Sequence, residues 1–501
     1  MRTSDDLFRL IHSLSRTEKG YFRKYCARHV IGGENDYVAL FDALESMDTF
    51  DEAKLKALLG DHPAAKRLAA SKHYLFQQIL EAMRLYHASS STERQIVELL
   101  EDADFLWEKA LYDLAMRRVT KARELAVAHD EYAFWLKTIS WYKNYRHVVL
   151  ERPESDGSTD PLSKEQLDVM NLLKSTIEYE ELGNLFHYHL LRSTHGDADG
   201  SSARWIAQLG EHELLQDIEK ANSRPARLNF HLALSNWHYY HTHNTEAALY
   251  HAQALLDMME ADPEIAAARP DWPLTFLQMW LQRNIEAGRY DAYLTRIDDL
   301  WADHGKRPTR NIEVKRFFRA MNTEAVYALR SGDVTRIDER YDFIRTRYAA
   351  LRERIPAQSR IAGAFLYARL FADASRWTEA GHWLRYVGME DDELRPDLHA
   401  AARIIRMRQA TVEGDRDLLR TTSRSLKRFL SVRNMATSRT EAALSLFRRL
   451  SDVLTPIQRR SLFDEIRRRL DSHPTTDPFD PIGSAGLHEW LDVIAPPRQE
   501  R

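Results

Sequence analysis

Two short stretches gather the side chains best suited to chemistry, Phe186-His187-Tyr188-His189 and Trp237-His238-Tyr239-Tyr240-His241-Thr242-His243. Imidazoles can ligate a metal or move a proton near neutral pH. A divalent metal needs three or four convergent ligands backed by hydrogen-bonded partners. On a helix His238 and His241 share a face, whereas His187 and His189 point to different faces. The pattern therefore predicts no metal site. Trp237, His238 and His241 are expected to line a concave, partner-binding groove or to build an aromatic-histidine core.

The single cysteine, Cys26, lies near Lys19, Arg23, Lys24 and Arg28, cations that could depress a thiol pKa. A free cysteine also behaves as a small hydrophobe, and a half-buried structural role is expected. The loop Asp197-Ala198-Asp199-Gly200-Ser201 has its Gly fourth and Gln208 twelfth, where a calcium loop needs Gly sixth and a bidentate Glu twelfth, so it reads as turn chemistry. No Gly-x-Gly-x-x-Gly, phosphate-binding loop, His-Glu-x-x-His or Gly-x-Ser-x-Gly occurs. No catalytic residue, cofactor or enzymatic activity is expected.

Charge is the remaining chemical signal. The formal net charge is −4, yet residues 403–469 hold 17 Arg or Lys against 7 Asp or Glu, leaving the rest of the chain at 54 against 68. With 55 Arg and 16 Lys overall, arginine abundance alone says little, so position must carry the reading. Arg420, Arg424, Lys427 and Arg428 recur at i, i+4, i+7 and i+8 on one helical stripe, and Arg403 with Arg406 adds a pair on the preceding helix. This stripe is expected to meet an acidic or phosphorylated partner; the competing expectation is that Asp415, Asp417 and their neighbours neutralise it in solvated ion pairs. A second basic row, Arg16, Lys19, Arg23, Lys24 and Arg28, would suit a helix-turn-helix. Residues 1–90 nevertheless balance 13 basic against 12 acidic residues, so nucleic acid is not the expected partner.

The elements that must position these residues are helices. Only 18 Gly and 16 Pro in 501 residues supply too little turn chemistry for a β-sandwich or propeller, and apolar residues recur at i, i+3, i+4 and i+7 almost throughout. The start Met1-Arg2-Thr3-Ser4-Asp5-Asp6 lacks a signal-peptide pattern, no apolar run approaches the ~18 residues of a membrane span, and one cysteine suits a reducing compartment. A cytoplasmic protein with no membrane partner is expected. Residues 1–90 read as a block of short helices: Ser15-Arg16-Thr17-Glu18 is a capping box, Gly32-Gly33 a stop, and Pro63 a helix start.

From Thr92 a turn signature recurs: Ala110-Leu111-Tyr112-Asp113-Leu114-Ala115, Gly288-Arg289-Tyr290-Asp291-Ala292-Tyr293, Gly332-Asp333-Val334-Thr335-Arg336-Ile337 and Ser375-Arg376-Trp377-Thr378-Glu379-Ala380. Weaker copies open at Thr242 and Gly414. The first residue should take the left-handed conformation that stops one helix, the third should fill the elbow, and the sixth should let the next helix approach. Sixth positions 115, 247, 293, 337, 380 and 419 are spaced at about 44 residues if two hidden copies lie near 156 and 200, which gives eight helix pairs. Small residues Ala103, Ser235, Ala325 and Ala368, seven before the opening position, mark where paired helices cross.

The Gly-x-Tyr-x-x-Ala-like elbow and the small residue before it resemble the tetratricopeptide repeat family over roughly residues 92–450, although the family's period is ~34 and its Trp-x-x-Leu-Gly opening is mostly missing. The resemblance implies an all-α, right-handed α-solenoid of antiparallel helix pairs with a concave protein-binding surface. The opening Leu7-Phe8-Arg9-Leu10-Ile11-His12-Ser13-Leu14-Ser15-Arg16-Thr17-Glu18-Lys19-Gly20-Tyr21-Phe22 resembles that of a group of uncharacterised bacterial helical proteins of similar length. The expected organisation is a helical block at 1–90, a repeat region at 91–471, and a tail at 472–501 whose Leu487, Trp490, Leu491 and Ile494 cap the last helices. The expected function is a non-enzymatic scaffold for a peptide or protein; the alternative is a transcriptional or signalling regulator that touches nucleic acid through its first helices and senses a peptide with the repeats.

Overall fold

The computed structural model describes residues 5–28, 36–87, 91–149, 160–194, 200–302, 310–452, 455–475 and 480–494. Every regular element among them is helical, and none is long and apolar enough to cross a membrane. The chain divides into two compact units, Met1–Met170 and Asn171–Arg501.

In the first unit α1 (Asp6–Ser13), α2 (Arg16–Arg28), α3 (Asp36–Glu45), α4 (Glu52–Leu59), α5 (Pro63–Lys66) and α6 (Leu68–Tyr86) enclose a core of Leu7, Ile11, Phe22, Phe41, Leu75 and Ile79. The capping box forms: the Glu18 backbone donates to Ser15 Oγ at 3.3 Å, and the Ser15 backbone donates to the Glu18 carboxylate at 2.7 Å. Glu18 Oε1 also lies 2.8 Å from His87 Nε2 and so ties the start of α2 to the end of α6. The Pro63 start is real but short, and the chain breaks at Arg67 before α6. Gly32-Gly33 lies outside the described residues. Three further helices, α7 (Thr92–Glu108), α8 (Tyr112–Ala128) and α9 (Tyr132–Val148), pack in order around Ala103, Val119 and Trp141, followed by α10 (Pro161–Thr194), whose residues from Asn171 belong to the second unit.

The second unit continues through α11 (Ser201–Leu209), α12 (Arg224–Trp237), α13 (Thr245–Ala261), α14 (Pro263–Ala268), α15 (Trp272–Glu286), α16 (Tyr290–Trp301), α17 (Arg310–Ser331) and α18 (Thr335–Leu351). Then come α19 (Ala357–Asp373), α20 (Trp377–Gly388), α21 (Pro396–Glu413), α22 (Arg416–Val432), α23 (Ser438–Leu450), α24 (Pro456–Asp471), α25 (Pro481–Ser484) and α26 (Leu487–Ile494). From α15 to α21 each first helix packs on its own second helix and on the first helix of the next pair. The 44-residue rhythm fails earlier. Instead of a hidden pair, α10 runs unbroken for 34 residues, and α11 is followed by two 3₁₀ turns, Glu213–Leu215 and Ile218–Lys220. The hidden turn near 156 and most of the one near 200 lie outside the described residues, although Gly200 itself is left-handed.

The elbows follow the sequence signature. Ala110, Gly288, Gly332, Ser375 and Gly414 all have left-handed backbones, with φ of 57°, 70°, 77°, 57° and 74°. In the remaining copy the left-handed residue is His243 instead of Thr242, because α12 widens into a π-turn at His238–Thr242 that absorbs one extra residue. The register shifts with it, and Ala248 is the fully buried residue where the sequence predicts Ala247. Ala103, Ser235, Ala325 and Ala368 are all fully buried, and Ser235 Oγ donates to Ala248 O across the crossing at 2.9 Å. Outside the signature three more non-glycine residues are left-handed, Asp130 and Asn434 just past the ends of α8 and α22 and Arg395 at the start of α21. Asp and Asn tolerate this conformation intrinsically, and Arg395 is held by a fork onto Asp397.

Arginine ties second helix to second helix: Arg289 to Glu246, Arg336 to Asp298, and Arg376 to Asp338. Arg336 and Arg340 also reach Glu324, whose carboxyl is 1% exposed and is pushed above its ordinary pKa by burial. At the C-terminal end Leu487, Trp490 and Leu491, together with Ile482, belong to the core of α19 to α24, and Ile494 packs against it. The buried Arg408 guanidinium donates to Ala485 O and Asp373 and lies over the Trp490 ring, while Arg369 donates to Gly483 O and Ser484 O.

Two measurements check this account by urea titration. Gly332→Val should cost about 1–2 kcal/mol because a β-branched residue is strained at that φ, whereas Ser375→Gly should cost nothing. Trp490→Ala should cost about 3–5 kcal/mol, the usual result of emptying a buried aromatic site.

Candidate functional site

The side chains left partly open on the first helices α12, α15 and α17 fall in rows. On α12 these are Asn229, Leu232, Asn236 and, in the π-turn, Tyr239; on α15 they are Thr275, Gln278, Gln282 and Glu286. Steps of three, four and seven residues put each set on one helical face. On α17 Lys315 and Arg319 continue the pattern toward the exposed Arg330.

Side-chain contacts join the rows. Lys315 Nζ lies 3.1 Å from Asp271, Arg319 Nη1 donates to Gln278 at 2.6 Å, and Arg330 pairs with Glu286 at 2.8 Å. Between α12 and α15 the buried Arg283 is the hinge of the arrangement. Its Nη2 donates to Asn236 Oδ1 at 3.0 Å, its guanidinium sits 3.7 Å over the Tyr239 ring, and the Tyr239 hydroxyl donates to Glu286 at 3.3 Å. Tyr239 lies within the π-turn. Burial pushes the Tyr239 phenol far above its ordinary pKa and the Arg283 guanidinium below its own. Arg283 Nε and Asn229 Nδ2 are buried donors with no acceptor, and Asn322 Oδ1 is a buried acceptor with no donor. The groups that remain partly open to a polar ligand are the amides of Asn236, Gln278 and Gln282. Among the described residues no group of three His, Cys, Asp or Glu could hold a metal ion.

The predicted aromatic-histidine residues meet different fates. Trp237 Nε1 donates to Ile206 O at 2.9 Å, and its ring covers Gly210 so closely that a Cβ there would lie 2.2 Å from it; the indole is a packing element. His241 is exposed with its ring centroid 5.6 Å from that of Trp237. His238 stacks on His251, whose Nδ1 lies 2.9 Å from His231 Nδ1. The cluster is therefore His231, His238 and His251, and the sequence pattern of clustered His and aromatics passes over two of its members, on α12 and α13. The two aromatic segments do meet, at Phe186 and Tyr240.

The basic residues also divide. Arg403 is half-buried, stacks on Phe429 at 4.1 Å and reaches Asp392 at 3.5 Å, so it is absorbed into the fold. Arg406, Arg424, Lys427 and Arg428 are exposed. Arg420 gives one hydrogen bond to Ser451 O at 3.3 Å and a distant 3.9 Å contact to Asp417. No hydrogen bond, ring contact or ion pair connects this set to Trp237, His238 or His241. In the N-terminal row, Arg23 is held by Asp42 and Glu45 and Lys19 by Glu45. Cys26 is buried, and burial pushes its thiol up to about 11, so the nearby cations do not activate it.

No protein-family model matches the chain, and neither a curated protein nor a solved structure matches it.

The histidine cluster generates a pH prediction. Burial lowers the pKa of His231 and His238, and burial plus the two neighbouring imidazoles brings His251 down to about 4. The unfolded chain, with His near 6.5, takes up protons before the folded one does. Stability is therefore full above about pH 6.5 and is lost as pH falls from there toward 4. Melting temperatures across this window should drop, and His251→Gln should flatten the drop; an unchanged slope would mean the cluster is not the titrating element.

Proposed function

We propose that this chain is a non-enzymatic scaffold, a right-handed α-solenoid of tetratricopeptide-like helix pairs behind an N-terminal helical block, that binds a peptide or protein segment along its first helices. The observation that carries the reading is the joining of the open polar rows of α12, α15 and α17 by Asn236–Arg283, Gln278–Arg319 and Glu286–Arg330. Successive first helices form the concave wall of such repeats, and a ligand laid across them meets one row after another. Rows held by cross-links are pre-ordered, so little side-chain entropy remains to be lost on binding. Paired amides suit an extended backbone, which needs both a donor and an acceptor at each residue. A reducing cytoplasm fits the single, buried cysteine.

Panning a random peptide library on the full-length protein should yield binders in the micromolar range. Gln278→Ala combined with Gln282→Ala should weaken the selected peptides by about tenfold, as expected for central contacts, with a stability loss of only about 1 kcal/mol from the lost Arg319 acceptor. Selected peptides that bind the double variant as well as the parent would place the binding surface elsewhere and overturn this reading.

A further inference from the structure

The arginine ties between second helices stop at α22. Arg289, Arg336 and Arg376 each reach an acid on the preceding second helix, whereas Arg416 at the start of α22 is exposed and makes no ion pair. The same is true of Arg424, Lys427 and Arg428, with Arg420 between them held only by its long contacts to Ser451 and Asp417. The nearby acids leave most of the row's charge uncompensated, since Asp417 makes only its 3.9 Å contact with Arg420 and the others are engaged elsewhere. Asp415 caps α22 by accepting from the Leu418 backbone at 2.9 Å, the Asp417 side chain is 97% exposed, and Asp392 is taken by Arg433 and Arg403.

Spacing defines what the row fits. At 1.5 Å per residue Arg416, Arg420 and Arg424 rise about 6 Å apart within a narrow arc of the helix, and Lys427 and Arg428 follow one turn on. An extended peptide carries same-side groups every second residue, about 6.7 Å apart, a mismatch that flexible arginine stems absorb. The exposed residues between the cations are Asp417, near the start of the row, and the hydroxyls Thr421 and Ser425, and the aromatic neighbour Phe429 is buried and covered by Arg403 and Arg433. Single-stranded nucleic acid binds through stacking on exposed aromatics, which this face lacks. The chain outside residues 403–469 is also strongly acidic, a field that opposes a long polyanion more than a short one.

We propose that the outer face of α22 is a second docking surface, separate from the polar rows of the first helices, for an extended peptide with carboxylates or phosphates at alternate residues. Each oxyanion seats against one guanidinium or ammonium group, and the row of like charges at i, i+4 spacing is relieved when it is occupied.

Fluorescence anisotropy with the full-length protein tests this. The probes are a labelled 12-residue peptide of alternating Glu and Ser, its counterpart with phosphoserine in place of Glu, the corresponding Lys-Ser peptide, and an oligouridylate of similar length. One or both acidic peptides should bind at about 50 mM salt and weaken steeply by about 300 mM, as the Debye length shrinks. Arg424→Glu with Lys427→Glu should lower affinity by at least about tenfold, and Arg424→Lys with Lys427→Arg should keep it, both with unchanged melting temperatures because these side chains are exposed. Which acidic probe binds more tightly identifies the source of the oxyanion. The proposal is overturned if neither acidic peptide binds at low salt, if the charge-reversed variant binds equally well, or if the oligouridylate or Lys-Ser probe binds more tightly than both. Loss of the library-selected peptides in the Gln278 and Gln282 variant leaves this surface unaffected.

Discussion

The close crossing of the two helices in each pair is the constraint on which the other features depend. In four pairs a small residue sits at the contact, Ala103, Ser235, Ala325 or Ala368, with a left-handed residue seven positions later, or eight after Ser235, to turn the chain back on itself, while the pairs turning at Gly288 and Gly414 carry Leu281 and Met407 at the equivalent place. Together these hold the second helix near its partner without a long loop, which in turn fixes which side chains of the first helix are covered and which stay open. At the four crossings built on Ala or Ser a larger residue would force the paired helices apart, since interiors packed this densely have little room to absorb the extra volume locally.

Arginine does three kinds of work once the helices are placed. It bridges neighbouring second helices, it carries charge into the interior at Arg283 and Arg408, and on α22 it remains in solvent. The buried cases rest on the planar guanidinium, which can stack on Tyr239 or Trp490 with one face while donating along its edge. A lysine at 283 or 408 would have a point charge with no comparable way to satisfy both neighbours. High arginine content is therefore partly architectural here, and the row on α22 stands out by position and not by composition.

Much of the fold was legible in the residues because its rules are local. The Ser15–Glu18 box, the glycine at 332 and the buried alanine at 368 each follow from a few adjacent positions. The structure departs from these local rules where a tertiary contact overrides them. The π-turn at His238–Thr242 shifts one elbow by a residue, directly after Trp237, which docks on Gly210 and Ile206, partners some thirty positions away. The polar rows were illegible for a similar reason: Gln278, Gln282 and Arg319 are unremarkable one at a time, and only the register between α15 and α17 brings them together. His251 was missed because it stands alone among Ala, Tyr and Gln on α13, whereas the aromatic runs draw attention to His238 and His241.

The clamp on the C-terminal segment changes how the end of the chain behaves as a mechanical unit. A stack whose helices touch only their neighbours can lose its last pair without disturbing the rest. Here Arg369 reaches Ser484 across 115 positions and Arg408 reaches Ala485 across 77, from α19 and α21 to one short turn. Release of that turn leaves two guanidiniums without their carbonyl acceptors and uncovers the Trp490 site, while its retention holds both helices. Opening is thus concentrated in a single event: α19, α21 and the segment after Asp480 would exchange their protected amide hydrogens together, at one rate, instead of fraying in sequence from the end.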